Sequence, residues 1–121
     1  AGTGGGRERV IEKVMRVGEG RQMSFDEFQQ EVAGGAQAPA GMSAALGALW
    51  HDGRGDWDGA HACAQEDQSR DGSWVHAYLH RKEGDEGNAA YWYARAGRPV
   101  PAKGVTLAVE WVAIARELVA Q

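Results

Sequence analysis

Apolar residues recur along this chain at helical spacing, in short runs separated by glycine- and proline-marked breaks. Ser24-Phe25-Asp26-Glu27 forms a capping box in which the Ser24 hydroxyl and the Glu27 carboxylate each satisfy the other's backbone N–H, with Met23 and Phe28 in the staple positions. This predicts a helix from Phe25 to Ala33, ended by Gly34 and Gly35. After a linker over 37–41, Ser43 caps a second helix that reaches Asp52 and turns Leu46, Leu49 and Trp50 inward. Further helices are expected from Trp57 to Gln65, from Trp74 to Lys82 with Ser73 as cap, and from Glu86 to Ala96 with Gly97 as terminator. Residues 68–72 read as loop, and Pro99 and Pro101 keep 98–102 out of helix. A last helix over Thr106–Val119 carries Leu107, Trp111, Ile114 and Leu118 at helical spacing.

Sliding the sequence against itself by 29 residues exposes an internal repeat, with identities at Ala48/Ala77, His51/His80, Gly55/Gly84, Asp56/Asp85 and Ala60/Ala89. In each copy the glycine serves a turn, the aspartate caps the following helix, and the alanine permits close helix approach. The expected fold is therefore all-α: two repeated helix–Gly-Asp–helix hairpins with flanking capping helices.

These motifs carry a resemblance. Leu49-Trp50, Gly55-Asp56-Trp57-Asp58 with Ala60-His61, and Gly84-Asp85 followed by Asn88-Ala89, Tyr91-Trp92-Tyr93 and Arg95-Ala96-Gly97 resemble degenerate tetratricopeptide hairpins, although 29 residues is shorter than that family's 34-residue period. The stretch from Leu49 to Pro101, above all its His76–Asp85 portion, also resembles a family of small bacterial proteins. That resemblance covers under half of the chain and implies no particular activity.

The length fits one domain. The domain is expected to span 23–121, with 1–22 as a flexible or foreign N-terminal extension; the competing reading is an amphipathic helix over Arg7–Val17, carried by Val10, Ile11, Val14 and Val17. Composition, 43% hydrophobic and 25% charged, lies far from that of disordered chains. Charge is uneven: residues 1–22 hold five basic against three acidic residues, the remainder eight against fourteen. An acidic body repels phosphate backbones and argues against a nucleic-acid partner. The apolar runs are too short for a membrane span, and a lone Cys63 allows neither an intrachain disulfide nor a cysteine zinc site. Cytoplasm is the expected compartment.

All four histidines, His51, His61, His76 and His80, fall in the repeat. His76 and His80 stand one helical turn apart, as two metal ligands require, and Glu83, Asp85 or Asp56 offer oxygen donors. Against this, His51 and His80 share a repeat position, which duplication alone explains, and no His-Glu-x-x-His string is present. No metal or other cofactor is expected on balance, with His76, His80 and Glu83 as the alternative ligand set. Trp50, Trp57, Trp74, Trp92 and Trp111 with three tyrosines form a heavy aromatic load. Tyr91, Trp92 and Tyr93 point in three directions around one helix, so at least one ring leaves the core. Beside Arg81 and Arg95, such a ring would suit a ligand groove or interface. The ligand-binding candidates are His51, His61, His76, His80, Trp57, Tyr91, Trp92, Arg81 and Arg95.

No catalytic signature is found: the serines fit caps and loops, and Cys63 and His61 lie on different faces of their helix. The leading expectation is a helical module that binds a protein segment, a second copy of itself as a homodimer, or a small molecule. The alternative is a small metal-dependent or histidine-based hydrolase.

Overall fold

Six helices follow from local capping chemistry in the structure, a computed structural model that describes residues 23–121. The proposed helix over Arg7–Val17 lies outside the described residues. Helix α1 (Phe25–Gly34) starts on the expected capping box: the Glu27 N–H donates to Ser24 Oγ at 3.0 Å and the Ser24 N–H to Glu27 Oε1 at 2.8 Å. Helix α2 (Ala44–Gly53) is capped by Ser43, α3 (Trp57–Glu66) by Asp56, α5 (Glu86–Ala96) by Asp85 and α6 (Leu107–Val119) by Thr106. Gly97, with φ 71°, ends α5.

Helix α4 (Arg70–Lys82) begins earlier than the sequence predicts. Ser69, not Ser73, is its cap and accepts from the Gly72 N–H at 3.2 Å. Ser73 lies inside the helix, fully enclosed. Gly72 reads as a breaker in the sequence, yet here it permits close packing: a Cβ at this position would stand 2.1 Å from the Asp67 carbonyl oxygen. The glycine is required by the approach of the preceding turn and tolerated by the helix.

The repeat is structural. In α2–α3 and α4–α5 the turn glycines take φ 83° at Gly55 and 91° at Gly84. The Asp56 N–H returns to the His51 carbonyl and the Asp85 N–H to the His80 carbonyl, both at 2.9 Å. Asp56 then accepts from the Gly59 N–H and Asp85 from the Asn88 N–H. Two helical hairpins with matching turns result.

Helix α4 is central, buried continuously from Gly72 to His80, and so carries polar groups into the interior that need partners. Tyr78 donates to the buried Asp52 carboxylate at 2.9 Å, which also meets Lys82 Nζ at 2.8 Å. One residue along, Arg81 Nη1 donates to the buried Glu110 carboxylate at 2.7 Å, and Tyr93 donates to the same group. These two networks tie α4 to α2 on one side and to α5 and α6 on the other. Burial and the neighbouring carboxylates hold both phenols well above their ordinary range. Tryptophans add further ties: Trp50 Nε1 donates to the Glu31 carbonyl, Trp57 Nε1 to Leu79 and Trp111 Nε1 to Leu49. No helix among the described residues is long and apolar enough to cross a membrane.

Candidate metal centre

Three of the four histidines converge. His61 comes from α3, and His76 and His80 from successive turns of α4; one ring nitrogen from each lies within 4.8 Å of the others. His61 Nε2 and His76 Nε2 face each other at 3.0 Å. His76 and His80 stack at 4.9 Å between centroids, and His61 stands almost perpendicular to both. This is the product of two periodicities: i, i+4 spacing aligns the α4 pair, and hairpin packing brings α3 across it.

Aromatic walls fix the rings. Trp57 lies one turn before His61 and stacks on it at 4.9 Å with 9° between planes. Trp92 from α5 stacks on His76 at 3.9 Å. His80 is oriented differently, by a 2.6 Å hydrogen bond between its Nδ1 and Glu83 Oε2, which leaves its Nε2 free for another partner. A carboxylate behind an imidazole in this way fixes the tautomer and raises the basicity of the outward nitrogen, as it does for histidines that ligate metals.

The electrostatics favour neutral rings at His61 and His76. Burial, then the neighbouring His61 and His80, push His76 down to about 4. Burial followed by His80 also lowers His61, opposed by Glu83 and Asp58. Neutral imidazole is the form that binds a metal ion. For a tetrahedral ion with Zn–N bonds of about 2.0–2.1 Å, ligating nitrogens stand roughly 3.3 Å apart. The His61–His76 pair is already near that separation, and the third nitrogen needs to move by roughly 1.5 Å at most. His61 is half-buried, and the other two are buried. Glu83 and Asp85 also gather near His80 and form a second, exposed oxygen-rich group with it.

The remaining sequence candidates distribute unevenly. Trp57 and Trp92 wall this centre, and Arg95 lies outside it, over the Trp92 ring at 5.2 Å and the Tyr91 ring at 5.9 Å. Of the three consecutive aromatics, Tyr93 is buried, Trp92 half-buried and Tyr91 54% exposed, as their angular spread requires. His51 sits at the turn of the other hairpin, 3.3 Å from Asp56 and edge-on to Trp50, outside the cluster. Arg81 is also elsewhere. One residue past His80 the helix has rotated about 100°, so its guanidinium reaches Glu110 and the Val105 carbonyl instead of the aromatics. Cys63 takes no part, its thiol pushed up by burial and by Glu66.

The sequence favours no metal, and its alternative ligand set is His76, His80 and Glu83. The structure brings His61 beside the His76–His80 pair as a further nitrogen donor, while Glu83 is hydrogen-bonded to His80 Nδ1 and groups with His80 and Asp85. The one sequence signal for this was the i, i+4 placement of Trp57 and His61, which lets the indole support the ring. No protein family, curated protein or solved structure matches the chain. The resemblance to tetratricopeptide hairpins accordingly rests on the sequence motifs alone.

Proposed function

We propose that this protein binds a divalent transition-metal ion of the zinc class through His61, His76 and His80, and that the ion serves chemistry on a bound water or substrate. The carrying observation is the convergence of three ring nitrogens within 4.8 Å of one another, on histidines of which one is backed by Glu83. Structural zinc sites close with four protein ligands, whereas three leave a position open for water, whose pKa the ion lowers to about 7. The hydrolase reading, secondary from sequence alone, becomes the leading one because isolated histidines at helical spacing need no common partner, whereas here His61 stands across the stacked His76–His80 pair and all three bring a ring nitrogen within 4.8 Å of the others.

The test is metal content and affinity. Purified protein titrated with Zn2+ is expected to bind one ion per chain. His61→Ala, which removes a half-buried ligand and spares the core helix, is expected to weaken binding by at least about a hundredfold with its helical circular dichroism intact. Sub-stoichiometric binding, or wild-type affinity in His61→Ala, would remove the proposal.

A second reading, a module binding a partner or small molecule, is favoured by a groove of about 800 Å³. It is walled by Val32, Leu107, Trp111 and Val112 and edged by Arg54 and Lys82. For self-association, exposed Tyr91, Val100 and Val109 supply apolar surface.

A further inference from the structure

We infer that the metal centre takes a small oxyanion, a carboxylate or phosphate group, held between the ion and Arg95; this rests on the metal reading above. Three observations lead to it. First, the ligand set is neutral: three imidazoles leave the double charge of the ion uncompensated, with Glu83 acting only from behind His80. An anionic fourth ligand is the natural completion. Second, a cavity of about 390 Å³ adjoins His76 on the α3–α5 side. It is lined by Gln65, one turn beyond His61 on α3, and by Trp92 and Arg95. Third, among the described residues Arg95 is a cation without a carboxylate partner: its guanidinium rests on Trp92 and Tyr91, and its hydrogen bond is to the Tyr91 hydroxyl at 3.3 Å.

The guanidinium is planar and presents a fork of N–H donors that matches two oxygens of a carboxylate or phosphate. Stacking on the rings limits its rotamers, so less freedom is lost when it closes on an anion. Asp67 is the acidic group in the cavity wall, and its Oδ1 is engaged by the Ser69 N–H at 2.9 Å, which weakens its competition for Arg95. Gln65 and Gln68 supply further amide donors. The site therefore selects small ligands that carry an oxyanion at one end.

Cobalt supplies the test, because its visible d–d absorption reports the coordination sphere directly. Protein loaded with Co2+ is titrated with inorganic phosphate and, separately, with acetate, for wild type and Arg95→Gln. The expected result is a saturable spectral change with at least one anion, whose apparent Kd rises about tenfold or more in Arg95→Gln while Co2+ affinity is unchanged. The arm with tighter binding identifies the oxyanion. A cobalt spectrum indifferent to both anions, or equal anion affinity in Arg95→Gln, overturns the inference and leaves the metal site standing. Failure of the chain to take up Co2+ overturns the metal reading, and this inference falls with it.

Discussion

His61 Nε2 and His76 Nε2, fifteen residues apart in sequence, lie 3.0 Å from each other. Two neutral imidazoles can meet at that distance only if one donates a proton to the other or both give their lone pairs to one cation. On the proposed metal reading, Zn2+ is expected to stabilise the fold. At a hundredfold excess over Kd, ligand linkage contributes about 2.7 kcal/mol, which for a domain of this size raises the melting midpoint by roughly 10–20 °C. A chelator is expected to reverse the shift, and His61→Ala to abolish it. An unchanged melting curve on adding Zn2+ would count against the site.

Glu83 is expected to tune affinity without ligating. Its carboxylate holds His80 Nδ1 at 2.6 Å, so Glu83→Gln replaces a charged acceptor by a neutral one and leaves the three nitrogens in place. Metal affinity is expected to fall about 10–100-fold with unchanged stoichiometry, as read by competition with a chelating dye. Wild-type affinity in this variant would show that His80 is oriented by packing alone.

The metal-free protein is expected to lose stability as pH falls from about 6.5 to about 4. His76 has an ordinary value of 6.5 and is pushed down to about 4 in the fold, first by burial and then by His61 and His80. Between those values the unfolded chain binds a proton that the folded chain refuses. Stability contributed by the neutral ring is thus complete above 6.5 and lost on acidification. The loss is on the order of 2–3 kcal/mol, measurable by denaturant titration in chelator across the window. In His76→Gln the slope in this window should flatten.

The two turns offer a matched pair of stability tests. Asp56 and Asp85 cap α3 and α5 by accepting from the Gly59 and Asn88 N–H groups at 2.9 and 3.2 Å. Each alanine substitution is expected to cost about 1 kcal/mol in chemical denaturation. Asp56→Ala should cost the more, because it also strips His51 of the carboxylate 3.3 Å away. Equal denaturation midpoints in both variants and the parent would remove the capping role.

What the sequence alone determined was local. Serine, threonine and aspartate caps, turn glycines and helical periodicity act over three or four residues, so the starts of α1, α2, α3, α5 and α6 and the duplicate Gly-Asp turns could be read from the chain. The start of α4 escaped because Gly72 serves an approach to Asp67 that only the folded chain contains. The site was half legible: His76 and His80 share a helix face by spacing, and Trp57 supports His61 by the same rule. Which histidines meet was decided by packing. Repeat position made His51 and His80 equivalents, yet His80 meets His61 between the two hairpins while His51 is left with Asp56 at its own turn. Arg81 and Lys82 are adjacent cations at the end of α4. The fold separates them by 100° of rotation, sending one to Asp52 and the other to Glu110, since each buried carboxylate needs a partner on the side where it lies.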